Sequence, residues 1–542
     1  MFERSQVAVL LERVKAPAMR ILVLTGPRQC GKTTAVGQFI DKCGLPSFFF
    51  SADNVKTVDN DWIVEQWESV RNRMDAEERT EAVLVIDEVQ KIRNWSEAVK
   101  GEWDYDRRTG RKLRVILLGS SRLLLQKGLE ESLAGRFEKI DMTFWSFDEM
   151  HEAFGMTRDE YIYFGGFPGL HDAVSDEERW RQLMETSIVL PFLQRDLAEI
   201  DAIRNPSLMA NVFSLGSAMS GREVSVNKLQ SELNNGSNPT VTNYLDILDR
   251  TMLLKPIYKY RPSVLDRYKS VPKMQVYNNG FLSLGNNVRF SDVRSDHTRW
   301  GQWVESAVGA HLLNMAAVYG YEVFYWRETR MYKNRQGKAQ KGIFEVDFVL
   351  KKGNSVVAIE VKSGRTDSLS GLSEFRKEFP EGGVVRLTSA LVVGNQGLTF
   401  EEFCRMNLGK LFLDKKTETP ENRTVVSLSR LDKGQKEQLA LIGRVEGAVW
   451  IDGEEYLIQK MPDGSVARMR SAEAYEHLCR EVPEVLATLG IAQPAILKDL
   501  AAGRTLPVGK ERIYFDIASR SVKEGETYAE ALLSRAGKTA TT

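Results

Sequence analysis

The chain reads as a multidomain α/β protein, and three observations carry that reading. An apolar run, Ile21–Leu24, leads straight into a glycine-rich loop and then a helical pattern from Lys32 to about Ile40. A second apolar run, Val83–Ile86, ends in two acids, Asp87 and Glu88. A later pair of runs, 344–350 and 355–361, is separated by a turn at Lys351–Asn354 and carries Asp347, Glu360 and Lys362. Short apolar runs alternating with helical patterns are what a parallel sheet, buried on both faces, requires.

The first run and its loop define a phosphate site. Residues 22–34 read LVLTGPRQCGKTT and satisfy G-x-x-x-x-G-K-[ST] at Gly26, Gly31, Lys32 and Thr33. The candidate nucleotide-binding residues are Gly26, Pro27, Arg28, Gln29, Cys30, Gly31, Lys32, Thr33 and Thr34. Loop N–H groups and the helix N-terminus favour phosphate charge. Lys32 is expected to reach the β- and γ-phosphates, and the Thr33 hydroxyl to hold Mg²⁺. A chance glycine-rich turn would not be followed by a strand ending in Asp87-Glu88. Asp87 is expected in the Mg²⁺ shell, and Glu88 is the candidate that orients or activates the attacking water.

A third strand, Arg114–Leu118, runs into Gly119, Ser120 and Ser121. Ser120 could sense the γ-phosphate or cap the following helix, and both roles are compatible. Arg136, in the small-residue turn Ala134-Gly135-Arg136, has two readings. It acts as an arginine finger, in cis or from a neighbouring copy, or it pairs with a surface acid.

The second signature is a nuclease-type acid set. Period-2 alternation puts Glu360 and Lys362 on one strand face, with Asp347 on a partner strand. Two carboxylates hold a hard divalent cation, Mg²⁺ or Mn²⁺, and the lysine polarises water or stabilises phosphate charge. Glu305, on the helical stretch Trp303–Asn314, is the auxiliary metal-ligand candidate. The competing readings are a hairpin with exposed charges and a nuclease-like fold that does not cleave. Nearby, Arg327, Arg330, Lys333, Arg335, Lys338 and Lys341 interleave with Tyr325, Trp326 and Tyr332. That mixture suits a phosphate backbone with stacking bases, or a solvated hairpin.

Between the signatures the period is helical. A short helix with Leu229 and Leu233, a turn at Asn234–Asn238, a helix Thr240–Leu248 and a strand Leu253–Tyr260 read as a winged helix-turn-helix. Lys255, Lys259, Arg261, Arg267, Lys269 and Lys273 follow. Such a module enters a major groove or packs against protein. Upstream, Arg195 is expected to contact nucleotide or the neighbouring domain.

Composition sets outer limits. At 542 residues the chain exceeds one core. Lys+Arg and Asp+Glu both number 74, so nucleic-acid binding would need local patches. Four scattered cysteines, without metal spacing, suit a reducing cytoplasmic setting. No apolar run suits a membrane span, and a soluble protein is expected. A polar boundary falls near 415–430. Beyond it Ala448–Ile451 and Glu455–Gln459 read as a hairpin, with helices around 472–489 and 493–502.

These motifs in this order resemble a prokaryotic family of AAA-type P-loop ATPases with a C-terminal restriction-endonuclease-like (PD-(D/E)XK) domain. The resemblance rests on Gly26–Thr33, Val83–Glu88, GSS at 119–121, SLAGR at 132–136, GGFP at 165–168, RD at 195–196 and VDFVL…AIEVKSG within 346–364. The chain departs from the family's pattern at Phe144-Trp145-Ser146-Phe147. The resemblance implies an AAA-type parallel-sheet core (1–150), a helical lid (151–204), a winged-helix-like middle (205–275) and an α/β restriction-endonuclease-like domain (276–415). A small α+β extension (431–535) lies outside it. The expected cofactors are ATP and Mg²⁺, with Mn²⁺ also suited to the acid set. Two functions follow as expectations. One is ATP-coupled action on nucleic acid, DNA ahead of RNA. The other is an ATP-driven switch whose nuclease-like fold and extension bind a protein partner without cleavage. A homo-oligomer is compatible with either.

Overall fold

The computed structural model describes residues 2–16, 20–55, 59–119, 132–193, 203–233, 236–263, 267, 270–333, 339–362, 370–380, 385–394 and 397–412, and five strand backbones between 444 and 513. Ser120, Ser121, Arg195, Asp196, Lys269, Arg335 and Lys338 lie outside the described residues. So do the boundary near 415–430 and the helices expected at 472–489 and 493–502. The chain divides into two compact units, Met1–Lys351 and Lys352–Thr542.

The first unit opens with five parallel strands. They are β1 (Ile21–Thr25), β2 (Ser47–Ser51), β3 (Glu81–Asp87), β4 (Lys112–Gly119) and β5 (Phe137–Asp141), ordered β2-β3-β4-β1-β5. Every residue of β1 is buried, because helices cover both faces. Alternation sends Ile21 and Val23 to a core with Trp67, Val70, Leu84 and Ile86. Leu22 and Leu24 face the opposite core, with Leu10, Val36, Phe39 and Val85. Each such side chain contributes about 1.5–3 kcal/mol when fully buried. With β4 between β1 and β3, the C-terminal tips of all three converge where ligands bind in open α/β sheets.

Two short helices follow, Phe147–Phe154 and Arg158–Phe164. Both start with capping boxes, Ser146 with Glu149 and Thr157 with Glu160. Helices Pro206–Ala218, Val226–Leu233 and Asn238–Arg250 then lead into an antiparallel pair, β6 (Leu254–Ile257) and β7 (Lys273–Val276). The two helices and the strand expected here are present, preceded by a further helix, Pro206–Ala218, and completed by a second strand, β7. The chain after β6 docks on the next strand: Tyr260 N donates to Tyr325 O at 2.6 Å, and Tyr325 N to Tyr258 O at 3.2 Å.

The helix expected at 303–314 runs much further, His297–Tyr319, because Asp296 caps its start. The Asp296 carboxylate accepts from Thr298 N and Arg299 N at 2.9 and 3.1 Å. The unit closes with the antiparallel hairpin β8 (Glu322–Lys333) and β9 (Ala339–Lys352).

In the second unit β10 (Ser355–Lys362) pairs in parallel with β11 (Arg386–Gly394). Val356, Val357, Ala358 and Ile359 are fully buried, as are Phe375 and Phe403 from two helices. The hairpin expected beyond 431 is present as β12 (Arg444–Ile451) and β13 (Glu454–Lys460). A third strand, β14 (Val466–Arg470), joins it. A small pair, β15 (Leu506–Val508) and β16 (Glu511–Ile513), follows. Among the described residues, no helix is long and apolar enough to cross a membrane.

Candidate functional site

β1 delivers the loop at its C-terminal end. A side chain at Gly26 would bring Cβ within 2.6 Å of the Met142 carbonyl oxygen, so the strand-to-loop turn has room only for glycine. Gly31 holds φ at +89°, the left-handed region, immediately before the helix Lys32–Cys43. Lys32 lies back across the loop and is only 7% exposed. Its Nζ donates to Gly26 O at 3.0 Å and Pro27 O at 2.9 Å. Its hydrogen-bond partners are neutral carbonyls and Asp87 acts on the ammonium only through space, so its donors can turn to an anion. The cradle therefore fits a nucleotide phosphate.

Beside it, Thr33 Oγ1 donates to Asp87 Oδ2 at 2.9 Å, and Glu88 N donates to Asp87 Oδ1 at 2.9 Å. A hydroxyl and a carboxylate side by side are the hard oxygens that Mg²⁺ requires. Burial raises the Asp87 carboxyl above the usual range, against the Thr33 hydrogen bond. Glu88 sits at φ +52°, uncommon for a side-chain-bearing residue, and the Gln90 amide donates to its carboxylate. Backbone strain of this kind gathers at functional positions.

Three supporting residues were missed by sequence reasoning. Arg4, 4% exposed, donates from Nη1 to Cys30 O at 3.1 Å and Thr143 O at 2.9 Å. Its Nε and Nη2 grip Glu149 at 2.8 and 3.0 Å. Trp145 Nε1 also donates to Cys30 O, at 3.0 Å. The loop is thus clamped from behind by the N-terminal segment and by the stretch that departs from the family's pattern. The Ser146-x-x-Glu149 capping signal could have marked Glu149; no local signal marks Arg4. Phe2, Gly31, Thr34, Trp145, Phe154 and Gly169 border a cleft of about 480 Å³ beside the loop. Gln29 Nε2 donates to Ser187 O at 3.1 Å, tying the loop to the π-helical segment Met184–Val189.

Arg136 requires a correction. Ile21 N, at the start of β1, donates to Arg136 O at 3.0 Å. Arg136 therefore stands at the N-terminal edge of the sheet, opposite the loop that leaves β1 after Thr25. A finger in cis is ruled out by strand direction. Its guanidinium pairs with Asp104 at 3.1 Å through both Nε and Nη2.

The nuclease-type residues are distributed between the units. In the first, Glu305 is engaged by a lysine. Lys273, 2% exposed, donates from Nζ to the Glu305 carboxylate and lies 3.9 Å from Glu345. Its ammonium also sits 5.3 Å from the centre of the Phe348 ring. Asp347 is close enough to act electrostatically on both Lys273 and Glu305. Burial pulls the Lys273 ammonium down, but Glu305, Asp347 and Glu345 outweigh it and hold the group above the ordinary lysine range. Burial raises the Glu305 carboxyl to about 7, against the pull of Lys273, and raises Glu345 as well. An auxiliary metal ligand at Glu305 does not fit this arrangement, because an ammonium holds the carboxylate a cation would take. In the second unit, Lys362 Nζ lies 2.6 Å from Glu360 Oε1 near the end of β10, with Glu360 buried.

The basic run also changes meaning. Lys255 pairs with Asp249 at 2.5 Å, Lys259 with Glu328 at 2.8 Å and Arg261 with Glu328 at 3.2 Å. Arg267 stacks over Phe324 at 4.8 Å, and Arg327 pairs with Glu223 at 2.7 Å. On the helix expected to enter a groove, exposed Asp246 and Arg250 pair with each other at 3.0 Å. These cations neutralise acids of the chain itself.

Comparison with known proteins bears on the fold that carries the loop. A model of the AAA domain matches residues 18–151. Models of two domains of unknown function, DUF8612 and DUF4143, match 157–289 and 300–403. The N-terminal segment is an AAA domain, the P-loop ATPase class, for which ATP and Mg²⁺ are the general cofactors. The chain is 26% identical over 286 residues to an uncharacterized protein of Mycobacterium tuberculosis and to one of Mycobacterium bovis, a match covering 52% of this chain. It spans 59% of the length of those mycobacterial relatives. It is 22% identical to an uncharacterized protein of Haemophilus influenzae, over 63% of this chain and 82% of that protein. A Thermotoga maritima RuvB Holliday junction branch migration motor aligns over 46% of this chain and 87% of that one. The identity is 13% and the TM-score 0.26, a likeness too slight to argue from.

Proposed function

We propose that the chain is an ATP-driven switch. ATP would bind the loop 26–34, Thr33 and Asp87 would hold Mg²⁺, Lys32 would neutralise the β- and γ-phosphates, and Glu88 would activate the attacking water. The output element is the helix His297–Tyr319 with the hairpin that follows it. This module is one platform for a protein partner, and residues 431–542 are a separate one. The observation that carries the reading is Asn314. Its Oδ1 accepts from Phe144 N at 3.2 Å, while its Nδ2 donates to Tyr277 O and Ala310 O, both at 2.8 Å. Phe144 follows Met142, which packs on Gly26 and donates its N–H to Thr25 O at 2.7 Å. One side chain thus joins the back of the loop to the long helix, a contact through which nucleotide can bias the helix.

The test measures ATP turnover together with hydrogen exchange over 297–319, with ADP and with a non-hydrolysable ATP analogue. Exchange should differ between the two nucleotides in the wild type, and the difference should shrink in Asn314→Ala while turnover persists. Identical exchange with both nucleotides, or no turnover, sinks the switch.

A second reading is ATP-regulated cleavage by Asp347, Glu360 and Lys362, favoured by the close Glu360–Lys362 pair. Plasmid and single-strand substrates with Mg²⁺ or Mn²⁺ separate the two. Scission that disappears in Asp347→Ala would replace the platform with a nuclease; intact substrate beside robust ATP hydrolysis keeps the switch.

A further inference from the structure

Lys273 has no role in the ATP site, yet it is among the most completely enclosed charges of the first unit. It comes from β7, the second strand of the wing. Glu305 comes from the helix His297–Tyr319, and Glu345 and Phe348 come from β9. Three separate elements therefore meet on one ammonium: a carboxylate in direct hydrogen bond, a second carboxylate at 3.9 Å and an aromatic face at 5.3 Å. Glu305 is the acid the sequence offers as an auxiliary metal ligand, and Glu345 stands two residues before Asp347 on β9. An ammonium carries one positive charge on three directional N–H donors and needs no coordination shell of its own. A divalent ion needs six or more oxygens, and Lys273 is buried against the same oxygens.

We infer that Lys273 is the resident cation of this acid cluster, a covalently tethered replacement for a metal ion that locks the wing to the long helix and the hairpin. Glu305 and Glu345 then act as a latch between segments instead of metal ligands. The neighbouring contacts run the same way. Gln302 Nε2 donates to Ser220 O at 2.9 Å, Arg222 Nη2 donates to Gln302 Oε1 at 2.6 Å, and the Ser220 and Ser306 hydroxyls meet at 2.7 Å. The loop after Pro206–Ala218, which bridges to β7 through Glu223 and Lys273, is thus sewn to the helix on either side of Glu305. This inference is independent of ATP turnover, so its failure and the failure of the switch are separate results.

The experiment is a Mn²⁺ titration of the nucleotide-free full chain, read by the electron paramagnetic resonance signal of free Mn²⁺. An Asp87→Asn background silences the ATP site. Glu305→Gln should leave Mn²⁺ uptake unchanged, because no metal sits there. Lys273→Met should gain about one equivalent of Mn²⁺, and adding Glu305→Gln should remove it. Mn²⁺ should also raise the thermal midpoint of Lys273→Met but not of its parent. The inference is overturned if Glu305→Gln lowers uptake in the parent protein, which would make Glu305 a metal ligand already. It is equally overturned if folded Lys273→Met takes up no more Mn²⁺ than its parent. Should Lys273→Met fail to fold, Lys273→Met/Glu305→Met decides. Recovery of a folded chain supports the ion pair as the latch, and continued failure rejects it.

Discussion

Lys32 and Lys273 are both buried lysines in the same unit, and their partners make them opposites. Lys32 donates to the backbone carbonyls of Gly26 and Pro27, which solvate its ammonium without neutralising it. Lys273 donates to Glu305 with Glu345 and Asp347 in range, and its charge is spent inside the fold. A buried cation among dipoles is poised for an anionic ligand, whereas a buried cation among carboxylates is structure. The difference separates a working phosphate site from what the sequence presents as a second chemical centre.

The comparison breaks first at Lys32. Lys32→Ala should lower the rate of ATP hydrolysis by roughly 10²–10³-fold, the usual loss when one preorganised donor to a phosphoryl group is removed. The melting temperature should fall far less than in Lys273→Met, since two neutral carbonyls lose a partner but no charge is left unpaired. A variant that melts much earlier would make Lys32 structural and erase the contrast.

Lys273→Met should do the reverse. Removing one member of a buried ion pair costs about 3–5 kcal/mol, because the other charge is left enclosed. Chemical denaturation should show that loss, and Lys273→Met/Glu305→Leu should recover most of it. ATP hydrolysis per folded molecule should stay near wild type. Additive losses in the double variant would mean that the two side chains do not depend on each other.

How much of this was legible follows from the same contrast. The loop residues are set by local geometry: Gly26 by the approach of Met142, Gly31 by its positive φ, and Thr33 and Asp87 by strand ends. Local rules are written in consecutive residues, so the motif carried them. The two helices around the turn at 234–238 and the strand after them were also within reach of periodicity, whereas the strand order β2-β3-β4-β1-β5 was not. For Arg136 the finger and the surface-acid pair both stayed open, because the turn Ala134-Gly135-Arg136 says nothing about which edge of the sheet it borders. Glu305 was picked out on the right helix as an auxiliary metal ligand, but its partner Lys273 lies 32 positions away in sequence. Lys273 itself read as one more member of a basic run. Arg4 was invisible for the same reason, since its partners are backbone carbonyls of Cys30 and Thr143. Pairing across elements is a tertiary property, and composition cannot assign it.

The long helix supplies a pH test of the structural side of the comparison. His311, 4% exposed, has its imidazole lowered to about 4 by burial alone. A depressed histidine stays neutral in the fold while the unfolded chain takes up a proton near pH 6.5. The folded state is therefore fully favoured above pH 6.5 and loses that advantage as pH falls toward 4, by roughly 3 kcal/mol at the low end. Urea midpoints at pH 7.5 and 4.5 should differ more for wild type than for His311→Leu. Equal pH dependence would mean that acid sensitivity lies in the carboxylates instead.

The smallest expected effect belongs to Arg136, and it decides how the ATP site is completed. Within one chain the Asp104 pair and the strand direction keep the guanidinium away from the loop. Arg136→Ala should therefore leave ATP hydrolysis unchanged in dilute protein. An arginine offered by a neighbouring copy would behave differently: wild-type specific activity would climb with protein concentration, and the variant's would stay flat. Measuring turnover per chain across a wide dilution series of both proteins distinguishes the cases. Parallel curves assign Arg136 to the Asp104 pair alone, whereas curves that separate only at high concentration make it a finger in trans and give the switch an oligomeric state.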